Sequence, residues 1–194
     1  MSDKPEIAEF NLNTIQPPMN VTLVSDETGL AELVSFLEEQ AKVPGTPVGL
    51  DLETTPLKNH YYRRCRTVQF GNIHQQFVVD LLAFCDRDSD LLYSCQGEYG
   101  KHLETAPRLS KLMTALKPYL CDGKLTLTGV SLGFEYISFY FLFGLRTYGF
   151  FDCGLVEKCI YAGSHSLKDY KFFSMSSIAE RYLAMTVNKE YQES

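Results

Sequence analysis

The sequence predicts an α/β fold: a mixed sheet, three antiparallel strands and then two parallel ones, flanked by helices. Three observations carry that expectation. Residues 47–53 (PVGLDLE), 66–72 (RTVQFGN) and 76–81 (QFVVDL) are strand-like and joined by short links, which favours antiparallel neighbours. Residues 125–130 (LTLTGV) and 147–152 (TYGFFD) are strand-like but alternate with helix-like segments, which implies parallel neighbours. Between the strands, apolar residues recur at the i, i+3, i+4 spacing of amphipathic helices.

Taken in order, residues 1–20 carry Pro5, Pro17 and Pro18 without periodicity and are expected to form an extended N-terminal arm ahead of one domain over 21–194. VTLVS at 21–25 is a short strand candidate. Asp26 is placed to cap a helix whose Leu30, Leu33, Val34, Leu37 and Ala41 share a face, and VPGTP ends it. After the antiparallel trio, residues 82–108 are polar and irregular, a surface excursion. A helix follows from Pro107 to about Leu120, with Leu109, Leu112, Met113 and Leu116 on one side and proline suited to its first turn. Helices are also expected over 133–145, which is so apolar that burial on all sides is predicted, and over 154–163. A last helix is expected over 174–183, with Ser177 and Glu180 forming a capping box.

The chain is long enough, at 194 residues and 45% hydrophobic content, to bury a substantial core. It has no signal-peptide-like start and no uninterrupted apolar run that would span a bilayer, so a soluble, cytoplasmic protein without membrane partners is expected. The six cysteines include no Cys-x-x-Cys pair, which predicts reduced thiols and no structural zinc. A formal net charge of -6 argues against a protein that coats nucleic acid through a basic surface. An enzyme that acts on nucleic acid needs only a local basic path, and a site for metal cations must itself be acidic.

The informative chemistry sits in PVGLDLETTPL. Side chains alternate along a strand, so Asp51 and Glu53 share one face and Val48, Leu50 and Leu52 the other. Two like charges this close raise each other's pKa unless solvent or a cation compensates them. An exposed acidic face of an antiparallel sheet and a divalent-metal site both account for the pair. Glu135 opens the apolar helix. A buried carboxylate there requires a partner; a solvated first-turn acid, favoured by the helix dipole, does not. The stretch KNHYYRRCR places Lys58, Arg63, Arg64 and Arg66 around Tyr61 and Tyr62, the combination of cations and aromatic faces that single-stranded nucleic acid binding uses. A solvated charged loop reads the same way.

The succession VGLDLETTPL, VQFGN, FVVDL, GVSLGFEY, FFDCGLVEKCIYAG and MSSIAERYLAMTVNKEYQES resembles the proofreading 3′-5′ exonuclease domain of family A DNA polymerases and the related ribonuclease D, over roughly residues 45–194. The resemblance implies a ribonuclease H-like fold. It places the first Asp-x-Glu motif at Asp51 and Glu53 and the acid of the second motif at Glu135, which together bind Mg2+ or Mn2+, two ions when the site is complete. It also puts Thr54 and Leu57 beside the terminal nucleotide and Asp152 in an element where a structural role is assigned more readily than a metal; Lys58, Arg63 and Arg64 of the basic stretch are the further substrate contacts expected from the residues themselves. The implied partner is the 3′ end of single-stranded DNA.

Two divalent ions about 3.5–4 Å apart activate water and stabilise the departing 3′ oxygen in phosphodiester hydrolysis, and such hard cations prefer carboxylate ligands.

The sequence also departs from the pattern. VSLG stands where relatives show His-Asn and a lysine, so Val130, Ser131 and Gly133 lack those polar groups, and Glu replaces the commoner Asp at 135. The third motif, a tyrosine followed four residues later by an aspartate, does not appear before Ser194. His165–Asp169 (HSLKD) imitates a histidine variant of it, but precedes the last helix, and a plain loop histidine accounts for His165.

The expected function is therefore a metal-dependent 3′-5′ exonuclease domain of a family A polymerase, an N-terminal fragment or split-gene product, located in the host cytoplasm if phage-encoded. Its missing aspartate would come from a separate polymerase chain or a C-terminal continuation. The alternative is a catalytically incomplete module that binds single-stranded DNA or a polymerase partner. A ribonuclease D-like RNA trimmer shares the motifs.

Overall fold

Strand β1 (Asn20–Val24) opens the described part of the chain and α1 (Glu27–Ala41) follows it; β2 (Pro47–Thr54), β3 (Cys65–Gly71) and β4 (Gln75–Asp80) come next. After α2 (Pro107–Cys121) the chain alternates β5 (Thr126–Gly129), α3 (Gly133–Phe143), β6 (Phe150–Asp152), α4 (Cys153–Ile160) and α5 (Met175–Leu183). This computed structural model describes residues 20–54, 65–86 and 99–186. Residues 1–19 of the expected N-terminal arm and 87–98 of the excursion after β4 lie outside them; the described ends of that excursion form short 3-10 turns at Leu81–Phe84 and Lys101–Thr105.

The strands form one sheet in the order β1-β4-β3-β2-β5-β6. β2, β3 and β4 are the expected antiparallel trio, and β5 and β6 add in parallel beside β2. The sequence expectation left out one pairing: β1 adds in parallel to the outer edge of β4, with Val24 beside Val79. Such a long-range pairing leaves no local mark in a five-residue strand.

Register explains which face is closed. Leu52, Val68, Val79 and Val24 face one another across four strands, and Leu50, Phe70 and Phe77 form the next row. All seven are buried. Their burial is worth about 1.5–3 kcal/mol per large side chain. Helices α1 and α2 seal this face: Phe36 of α1 packs on Phe77 with ring centres 5.1 Å apart, and Leu109, Leu112 and Leu116 of α2 join the same core. Asp26 caps α1 as its position predicts, accepting from Gly29 N at 2.9 Å.

Three local expectations are corrected. α3 is not buried all round: Glu135, Ser138, Phe139, Leu142 and Phe143 form its buried stripe, while Tyr136 and Ile137 are 41% and 50% exposed. The apolar outer residues hid an ordinary i, i+3, i+4, i+7 pattern. The cap of α5 is Ser174, whose hydroxyl accepts from Ser177 N; Ser177 instead lies inside the first turn and donates to Lys171 O. The strand expected over 147–152 is confined to β6, because only Phe150–Asp152 pair with β5.

The second face is thinly covered. Thr128 pairs beside Gly49, so by alternation it shares the face of Asp51 and Glu53. Its hydroxyl lies 3.4 Å from Cys153 Sγ, so α4 starts on that same face. α5 is tied to α4 by Arg181, which donates to Glu157 at 2.7 Å and to Phe172 O at 3.1 Å and lies 4.1 Å above the Phe172 ring. Among the described residues no helix is long and apolar enough to cross a membrane.

Candidate active site

The acid pair occupies the place where β2 outlasts its parallel neighbour. β5 stays paired with β2 only as far as Thr128 opposite Gly49, and the chain then turns at Val130–Leu132 into α3. Beyond that point Asp51 and Glu53 continue opposite Gln69 and Thr67 of β3, and a register shift between Glu53 and Thr54 re-aims the strand end. The carboxyl ends of parallel strands are the usual place for ligands in α/β sheets. Val48, Leu50 and Leu52 are buried on the opposite face, as alternation requires.

The same turn delivers Glu135. Gly129 makes the approach possible: a Cβ there would meet Leu50 O at 2.8 Å and the Leu132 side chain at 2.7 Å. Three residues into α3, Glu135 occupies the first position of the buried stripe, 5% exposed, and its Oε2 has no hydrogen-bond partner among the described residues. Burial lifts its pKa to about 7; its own backbone N–H opposes the rise, and the charges of Asp51, Asp152 and Glu53 add to it. Asp51 and Glu53 are both exposed; partial desolvation raises Asp51 against a lowering bond from Leu52 N–H, and raises Glu53 together with the charge of Asp51. The three acids named from the sequence are therefore close enough to feel one another's charge.

Asp152 is different. Both of its oxygens are engaged by backbone amides: Oδ1 accepts from Ser131 N at 3.0 Å and Leu155 N at 3.1 Å, and Oδ2 from Leu132 N at 2.9 Å. It is a structural clip, as the resemblance implies. An aspartate directly before a helix is a legible cap signal; its hold on the turn before α3 comes from another segment and is not.

A divalent cation suits the carboxylate character of the site, since an unpartnered buried Glu135 oxygen beside two acids with raised pKa values asks for positive charge. The cage is incomplete, however: among the described residues no three His, Cys, Asp or Glu side chains converge closely enough to hold an ion.

Of the named substrate residues, Thr54 ends β2 half-buried, opposite Cys65. Leu57, Lys58, Arg63 and Arg64 lie outside the described residues, as do Tyr61 and Tyr62. Arg66 is committed to Asp80, at 3.1 Å. His165 stacks on Phe172 at 3.9 Å between ring centres, which agrees with the loop-histidine alternative.

A sequence model of the 3′-5′ exonuclease family matches residues 21–194. Among solved structures, Escherichia coli RNase D, an exoribonuclease involved in structured RNA processing, is similar with a TM-score of 0.62 and 17% identity, over 91% of this chain and 36% of that one. This chain thus spans about a third of its length. The Aedes aegypti Nibbler EXO domain gives a TM-score of 0.63 and 12% identity, over 90% and 73%. The EXD2 exonuclease domain soaked in Mn and GMP gives 0.50 and 18%, over 87% and 72%. No curated protein sequence matches. At these identities the structural likenesses speak to the fold, which is ribonuclease H-like, while the match over residues 21–194 settles the family: this chain belongs to the 3′-5′ exonucleases.

Proposed function

We propose that the chain is the divalent-metal-dependent 3′-5′ exonuclease domain of a family A DNA polymerase, with Asp51, Glu53 and Glu135 as its catalytic, metal-binding residues. The observation that carries this is the buried Glu135 oxygen, unpartnered among the described residues and within reach of the charges of Asp51 and Glu53 at the open end of β2. In this reading Asp51 and Glu53 hold Mg2+ or Mn2+ from one side and Glu135 from the start of α3. Bound divalent ions supply an activated water and a counter-charge for the departing 3′ oxygen. The chain's own share is to present carboxylates in the right charge state and to leave that face open to a single strand. Thr54, Leu57, Lys58, Arg63 and Arg64 contact the 3′ end.

Two observations favour other readings. The E. coli relative is an exoribonuclease, which favours RNA as substrate. The absence of a converging trio among the described residues favours a module that binds single-stranded DNA or a polymerase partner without cleaving. One experiment separates the three: 5′-labelled single-stranded DNA and RNA of one sequence are incubated with the chain and Mg2+ or Mn2+, beside Asp51→Ala and 3′-blocked substrates. Metal-dependent laddering of DNA from the 3′ end, lost in both controls, is the expected result. Laddering of RNA alone transfers the reading to an RNA trimmer. Binding without cleavage removes catalysis by this chain alone.

A further inference from the structure

We infer that Asp152 is a positioning residue for the candidate metal site: by clamping the turn before α3 it sets where Glu135 points. The inference rests on the metal-binding reading above.

The turn is unusual in its backbone. Ser131 has φ of 67°, a left-handed conformation that residues with a Cβ other than Asn and Asp adopt reluctantly. Leu132, at the cap position of α3, offers no side-chain cap bond. Such a strained segment persists where its surroundings hold it. Here the holding group comes from the neighbouring strand: Asp152 takes the Ser131 and Leu132 N–H groups on separate oxygens, at 3.0 and 2.9 Å.

Its third bond, from Leu155 N, fixes the start of α4 on the same carboxylate. Gly154 makes room for it, since a Cβ there would lie 3.2 Å from Asp152 Oδ1. One side chain thus sets the starts of two helices, and Glu135 lies three residues past Leu132, within the first turn of α3. Helical backbone bonds carry the constraint onward: Phe134 N donates to Ser131 O and Tyr136 N to Leu132 O. Releasing the clamp frees the turn and rotates or frays the one turn of helix that aims Glu135. Asparagine cannot replace it, because an amide has one acceptor oxygen and its NH2 would face a backbone N–H.

The test uses the full chain and two readouts: Mn2+ affinity, by calorimetry or the loss of free-ion EPR signal, and amide hydrogen exchange. In Asp152→Asn, exchange at Ser131 and Leu132 accelerates while the core amides of β2 and β3 stay protected, and Mn2+ affinity falls by about tenfold, the scale of outer-shell losses. Adding Ser131→Gly recovers part of the affinity, because glycine holds a left-handed turn without the clamp. Wild-type Mn2+ affinity in folded Asp152→Asn, or a loss matched by equal deprotection of the core, overturns the positioning role. Should Asp152→Asn not fold, Gly154→Ala crowds the same carboxylate: the two turn amides and the affinity must move in the same directions, and an unchanged affinity overturns the proposal. A wild-type chain that does not bind Mn2+, or binding that survives Asp51→Ala, sinks the metal reading and this inference with it. Binding abolished by Asp51→Ala but intact in Asp152→Asn sinks the positioning role alone.

Discussion

On one face of the sheet Leu50, Phe70 and Phe77 lie side by side under α1 and α2, all buried; one residue along each strand, Asp51, Gln69, Val78 and Leu23 lie side by side on the other, and Leu23 is 62% exposed. The same four strands thus present a sealed apolar layer and a half-wet one. Concentrating cohesion on the closed face lets the open face carry like charges that a two-sided core would exclude. The helices repeat the contrast: α1 and α2 contribute eleven buried residues between them, whereas α5 contributes none and is tied down by Arg181.

The largest expected effect lies on the closed face. Phe77→Ala should cost about 3–5 kcal/mol in a denaturant titration, the range for deleting a buried aromatic. On the other side, Arg181→Met leaves Glu157 buried without its cation and should cost about 3 kcal/mol, with hydrogen exchange accelerated in α4 and α5 more than in β2 and β3; uniform acceleration would contradict the division into a cohesive face and a tethered one.

A smaller effect comes from Glu135, and its sign is opposite. In the folded chain its pKa is about 7, against an ordinary value of 4.5. Between those values the folded state keeps a proton that the unfolded state releases, so its contribution falls as pH rises through the window and levels off above it. Glu135→Gln should therefore stabilise the metal-free protein above pH 7, by up to about 3 kcal/mol, and leave it nearly unchanged below pH 4.5. Melting curves in chelator across that range check it; a destabilised variant at high pH would show that the carboxylate is satisfied without metal. The smallest effect is Leu23→Ser, expected within about 0.5 kcal/mol, since that side chain already faces water.

The sequence was most legible where structure is local and periodic. Alternation in PVGLDLE set the faces of Asp51 and Leu50, and the phase of Leu109, Leu112 and Leu116 set the buried side of α2. What it concealed depends on distant partners. The pairing of β1 with β4, the Arg181–Glu157 pair and the clamp of Asp152 on Ser131 each join segments separated by many residues. The apolar outer surface of α3 misled for a related reason: Tyr136 and Ile137 look like core residues to any pattern that counts hydrophobicity alone. For the candidate site, strand alternation, helix position and motif order named the three acids, and of the two readings open for Glu135, buried or solvated, the structure places it on the buried stripe of α3.

The proposed divalent-metal site on the open face, built on Asp51 and Glu53, is tested by the melting temperature well above pH 7 with and without Mg2+ or Mn2+, in the wild-type chain and in Asp51→Asn. Ligand that binds only the folded state stabilises it in proportion to RT ln(1 + [L]/Kd). The account predicts a concentration-dependent rise in the wild type that Asp51→Asn abolishes. No rise in the wild type, or an equal rise in both, would contradict it.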